Sequence, residues 1–156
     1  YLINQLAERF RTTLFRQAMF AEFEAETYRL SWSGTPLTKD LLCSLYHELN
    51  SEYYGEETVI DEDIDHEWER IPHFYMQFYV YQYATGFSAA MAIARRILSG
   101  DEKTKEGYFR FLKGGCSKTP VELLKLVGLD MEKPDVVNEA MKVFEGLIKE
   151  LEGSFS

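Results

Sequence analysis

No stretch of this chain is apolar over the roughly 20 residues that a membrane-spanning helix needs, and no basic start runs into an apolar signal core. A membrane is therefore not an expected partner. Cysteine is scarce: Cys43 and Cys116 stand far apart, which reads as reduced thiols of a cytoplasmic protein rather than as a disulfide framework. Positive charge is also scarce, with 17 Lys and Arg against 26 Asp and Glu and a formal net charge of -9. Nucleic acid is excluded as a partner on that ground, because phosphate is held by clustered basic residues. Proline and glycine are missing from Leu2 to about Leu30, and no repeat or low-complexity tract occurs. The chain starts at Tyr1 without a methionine, so it is expected to be a piece of a larger protein.

What is present is apolar and aromatic: 46% hydrophobic and 15% aromatic residues in 156 are enough for one real core, and the chain reads as a single helical domain, 1–156. Ile3, Leu6, Phe10, Leu14 and Ala18 step at helical intervals, predicting one long helix to about Leu30 that Ser33-Gly34-Thr35-Pro36 ends. Thr38 predicts an N-cap for a helix that runs to Gly55. Residues 56–70, with eight carboxylates, read as a solvated acidic connection. Pro72 suits the start of a helix continuing through Leu98. Thr119, Pro120 and Glu122 spell a capping box, and an apolar stripe from Val137 to Leu151 predicts a docked terminal helix. The expected class is all-α, with about six helices.

Several catalytic motifs fail on their spacing. His47-Glu48 and His66-Glu67 open like the zinc-binding HExxH, but Ser51 and Arg70 occupy the place of the second histidine. Asp61, Asp63 and Asp65 open like a calcium loop, yet His66 replaces its glycine and Pro72 its bidentate glutamate. Residues 71–90 remain, where one histidine and a run of tyrosines share a single passage. Placed on an ideal helix, His73, Gln77 and Tyr81 fall on one side while Tyr75, Tyr79 and Tyr83 form a separate ladder. Both ladders also suit ordinary packing or the docking of a partner helix, so a non-catalytic interaction domain is an alternative reading. The loop around Gly114 and Gly115 offers flexible backbone that an extended peptide can approach.

Three blocks favour the catalytic reading over that alternative: FRQAMFAEFE at 15–24, IPHFYMQFYVYQYATGFSAA at 71–90 and FLKGGCSKTPVELLKLVGLDM at 111–131. Together they resemble the C-terminal region of the oligoendopeptidase F family, zinc metallopeptidases of the thimet oligopeptidase superfamily. The resemblance implies a helical part of the wall of a peptide channel, in an enzyme that hydrolyses short peptides. It implies His73, Tyr81 and Tyr79 as catalytic groups at the scissile carbonyl and its oxyanion, with Tyr75, Gly114 and Gly115 binding substrate. It also implies a zinc cofactor whose ligands lie upstream, outside this chain, so that the chain's partners are short peptides and the preceding catalytic part of the same polypeptide.

Overall fold

A computed structural model describes residues 1–154, and among them there are seven α-helices and no strand. The all-α class expected from the sequence holds, and among the described residues no helix is long and apolar enough to cross a membrane. The backbone forms two compact units, one built from Tyr1–Phe10 and the chain from Thr85 onward, the other from Arg11–Ala84.

The predicted first helix is interrupted. Helix α1 (Leu2–Arg9) passes through a π-helical turn, Phe10–Phe15, into α2 (Arg16–Trp32). A π turn takes in an extra residue, since its bonds run five positions rather than four. The buried row consequently goes Phe10, Leu14, Met19, Phe23, and the place expected for Ala18 falls to Met19. Ser33 caps α2, and Gly34, with φ 81°, turns the chain away.

In the Arg11–Ala84 unit, α3 (Lys39–Tyr54) starts at the predicted cap, where Thr38 accepts a hydrogen bond from the Leu41 N–H at 3.3 Å, and it ends at Gly55 with φ 77°. Met19, Phe20 and Phe23 of α2 meet Tyr46 and Leu49 of α3, with Ile71 and Val80 completing the core. The acidic segment is not simply a solvated connection. Residues Glu62–Arg70 wind into a 3-10 helix whose Ile64 and Trp68 pack against the core and whose Glu67 is buried. Two apolar side chains four residues apart suffice to dock it, and the surrounding carboxylates mask them in the sequence.

The expected helix at Pro72 is also shorter than its pattern. One 3-10 turn, Pro72–Tyr75, is followed by irregular backbone, and α4 (Tyr81–Leu98) begins only after Val80. Burial of Ile71 and Val80 wins over helical propensity here, and half-buried Phe74 sets its ring against Phe20 and Phe23, at 5.6 and 5.2 Å between centroids.

In the other unit, Ala89, Ala92 and Ile93 of α4 pack with Val127, Leu129 and Val136. Asp101 caps α5 (Glu102–Gly114) by accepting from the Thr104 N–H, and α6 (Pro120–Lys125) carries the predicted capping box of Thr119 and Glu122. Helix α7 (Asp135–Gly153) packs against α1, with Phe144 5.1 Å from Phe10. Its buried edge begins at Val136, whereas Val137 is exposed. Gly107 is buried where α5 meets the turn after α6, and a Cβ there would stand 2.4 Å from the Leu126 carbonyl oxygen. That neighbour is backbone and cannot rotate away. Gly107→Ala is expected to cost about 1–3 kcal/mol of unfolding free energy, as overpacking does; an unchanged denaturation midpoint would show that the two segments part freely.

Candidate functional site

The irregular passage brings one histidine and two tyrosines together. His73 is held by its neighbours, because Ile71 is buried and Phe74 is wedged between aromatic rings. Tyr79 precedes Val80, which is fully buried, and Tyr83 lies on the first turn of α4. The imidazole and the Tyr79 ring are parallel within 3° at 5.9 Å, and the Tyr83 ring stands edge-on to both, at 5.7 and 5.6 Å. Tyr83 Oη lies 3.4 Å from His73 Nε2 and donates to Tyr79 Oη over 3.4 Å. These are long, loose contacts, well beyond the roughly 2.7–2.8 Å of a settled hydroxyl bond. The hydrogen bond to Tyr79 and then burial hold the Tyr83 phenol above its ordinary pKa, so it keeps its proton at neutral pH. The arrangement is a set of polar aromatic groups on a partly exposed surface.

The ladder geometry expected from an ideal helix does not survive. Residues 76–80 are not helical, and Tyr83, which that geometry separated from His73, is its neighbour. Tyr81 opens α4 with about half its surface exposed, and Tyr75 is 86% exposed. Gly114 and Gly115 belong to the other unit, at the end of α5, where Gly115 has φ 50° and a Cβ on Gly114 would meet the Leu123 side chain. There the glycines make the turn into the capped α6.

Two buried carboxylates lie in the same unit, and one of them, Glu24, holds the passage directly. Buried Glu67 accepts from the Tyr46 hydroxyl at 2.8 Å and pairs with Arg16 and Arg70. Glu24, on α2, accepts from the Phe78 N–H at 2.7 Å. Phe78 has φ 50° and is the non-glycine residue with left-handed backbone among those described, a conformation that costs about 1–3 kcal/mol. Burial pushes the Glu24 carboxyl up, while the Phe78 N–H draws it down. Neither contact was legible in the sequence, since nothing local links Glu24 to Phe78 or Glu67 to Tyr46.

The chain's remaining two histidines pair with acidic side chains rather than with each other. His47 Nδ1 is 2.8 Å from Asp65, and His66 Nδ1 is 2.9 Å from Glu69 and 3.6 Å from Cys43 Sγ. The ligand atoms of Cys43, His66 and Glu69 lie within 4.8 Å of one another, but His66 and Glu69 are exposed and already paired. Neither histidine has a second histidine one turn away, so these residues do not fit the two-histidine zinc site that the family resemblance implies.

The described residues thus form an all-helical chain in which polar aromatic side chains gather on a stretch of irregular backbone. The profile of Peptidase family M3 matches residues 1–143, and the chain belongs to that family. It is 47% identical to Oligopeptidase PepF of Bacillus subtilis over 152 residues, and 44% identical to the chromosomal Oligoendopeptidase F of Lactococcus lactis over 151. Each match takes in 97% of this chain but only 23% and 25% of the relative, so the chain spans about a quarter of their length. The crystal structure of oligoendopeptidase-F from Enterococcus faecium superposes with a TM-score of 0.95 at 44% identity, over 98% of this chain and 29% of that one.

Proposed function

We propose that this chain is the C-terminal, substrate-facing part of a zinc-dependent oligoendopeptidase acting on short peptides, and that it forms part of the wall of the peptide channel. The observation that carries the reading is the contact of His73, Tyr79 and Tyr83. Zinc ligands are assigned to the preceding part of the polypeptide, because the histidines here do not supply them. The chain's own contribution is to bind the scissile carbonyl. When that carbon becomes tetrahedral, negative charge grows on its oxygen, and donors already aimed at it lower the barrier without having to reorganise. A phenol that accepts a hydrogen bond still has its own proton to give. Tyr79 can therefore accept the Tyr83 hydrogen bond and point its own O–H outward, with Tyr81 as a further donor and His73 Nε2 as the nitrogen partner. Tyr75, Gly114 and Gly115 are proposed to contact the peptide on either side of the reacting bond.

His73→Ala in the complete enzyme tests this. Its kcat is expected to fall on the order of a hundredfold, with KM changing much less, as for loss of an interaction made mainly in the transition state. A variant that is folded and turns over at the wild-type rate would remove His73 from the reaction.

A further inference from the structure

We infer that Glu24 is a positioning residue for peptide hydrolysis: its carboxylate clamps the backbone of Phe78 and so fixes where Tyr79 presents its hydroxyl. The inference rests on the reading of His73, Tyr79 and Tyr83 given above. Glu24 is 3% exposed and reaches 54 positions along the chain to take the Phe78 N–H at 2.7 Å. One turn further along α2, Tyr28 sets its ring against that of Phe78 at 4.8 Å. Phe78 is thus held twice by one face of α2, and Val80 is locked in the core two residues later. Tyr79 stands between these two fixed points, the one residue of the three whose ring meets His73 and Tyr83.

The clamp has something to hold. A bulky side chain does not rest at φ 50°, and released backbone at Phe78 would turn back toward negative φ, swinging Tyr79 away from its partners. A buried carboxylate is a poor choice for filling space on α2, since burial disfavours its charge; an apolar residue of the same length would pack at lower cost. Its retention makes sense if the hydrogen bond is what the position requires. The strain is placed next to the polar cluster rather than elsewhere in the fold, and displacements on the scale of an ångström are enough to weaken positioned donors.

The test is steady-state kinetics on the complete enzyme, with Glu24→Met, Glu24→Asp, Glu24→Gln and Tyr79→Phe measured together and folding checked for each. Glutamine keeps an acceptor oxygen at the same reach, methionine keeps the volume without it, and aspartate draws it back by one methylene. The expected result is a kcat lowered about tenfold or more in Glu24→Met and severalfold in Glu24→Asp, KM within about threefold of wild type, and Glu24→Gln within about threefold in kcat. A merely structural carboxylate would change the unfolding midpoint but leave kcat alone. Wild-type kcat in the Met and Asp variants beside a loss in Tyr79→Phe overturns the clamp and leaves the functional reading standing. Wild-type kcat in all of them, Tyr79→Phe included, overturns the functional reading and the clamp with it. If Glu24→Met does not fold, the Asp and Gln variants decide, and an Asp variant at least as fast as the Gln variant overturns the clamp.

Discussion

Glu67→Leu is expected to remove about 3–5 kcal/mol of unfolding free energy, a loss as large as truncating a core side chain of the Arg11–Ala84 unit. Glu67 is 7% exposed and answers three groups at once. The Tyr46 hydroxyl donates to it from a side chain with no exposure, and burial, then the bond to Glu67, raise the Tyr46 phenol far above its ordinary pKa. Tyr46 therefore stays protonated, and without Glu67 its O–H would be left in the core without this acceptor. Arg16, about a quarter exposed, would lose its counter-ion while its guanidinium stays over the Phe20 ring. Arg70 is 71% exposed at its side chain, so Arg70→Ala should cost less than about 1 kcal/mol, the usual value of an exposed pair. Glu67→Gln keeps an acceptor for Tyr46 and should fall between the two. Urea denaturation of the three variants checks the order; a Leu variant as stable as the Arg70→Ala variant would mean that water replaces Glu67 without penalty.

The same residue shows where the sequence stops being readable. Glu67 sits among eight carboxylates in residues 56–70, and only its burial distinguishes it from the others. Caps were legible because they are local: Thr38 and Thr119 need a hydroxyl and a backbone N–H three residues on, and both make that bond. Terminators were legible for the same reason, as Gly34 and Gly55 adopt the positive φ that ends each helix. The π turn at Phe10–Phe15 left no such mark. It sits where the chain passes from one compact unit to the other, and the demand that Phe10, Leu14, Met19 and Phe23 all be buried is a tertiary one. His73 and the tyrosines were found through the resemblance of the 71–90 block, but their geometry depends on anchors outside it, with Glu24, Phe20 and Phe23 on α2 holding Phe78 and Phe74 in place.

That geometry adds Tyr83 to the tyrosines whose removal is expected to be felt in catalysis. On an ideal helix Tyr83 would be separated from His73 and Tyr81 would share its side, so Tyr83→Phe would be a packing control. With Tyr83 Oη 3.4 Å from both His73 Nε2 and Tyr79 Oη, its phenol links the two groups, and deleting the hydroxyl removes a donor while keeping the ring. In the complete enzyme Tyr83→Phe and Tyr79→Phe are each expected to lower kcat on the order of a hundredfold, the loss typical of one oxyanion donor. KM should change little, because contacts this long in the unliganded protein tighten only as charge builds on the substrate oxygen. The double variant should be much less than multiplicative, since Tyr83 and Tyr79 act through one hydrogen-bonded pair. Tyr75→Phe is the appropriate control: its ring stands almost wholly in solvent, and contact with the peptide would affect KM rather than kcat. Turnover of an internally quenched peptide, with metal content and unfolding midpoint measured for every variant, separates the possibilities. A Tyr83→Phe enzyme as fast as Tyr75→Phe would place Tyr83 among packing residues and return the donor's role to Tyr81.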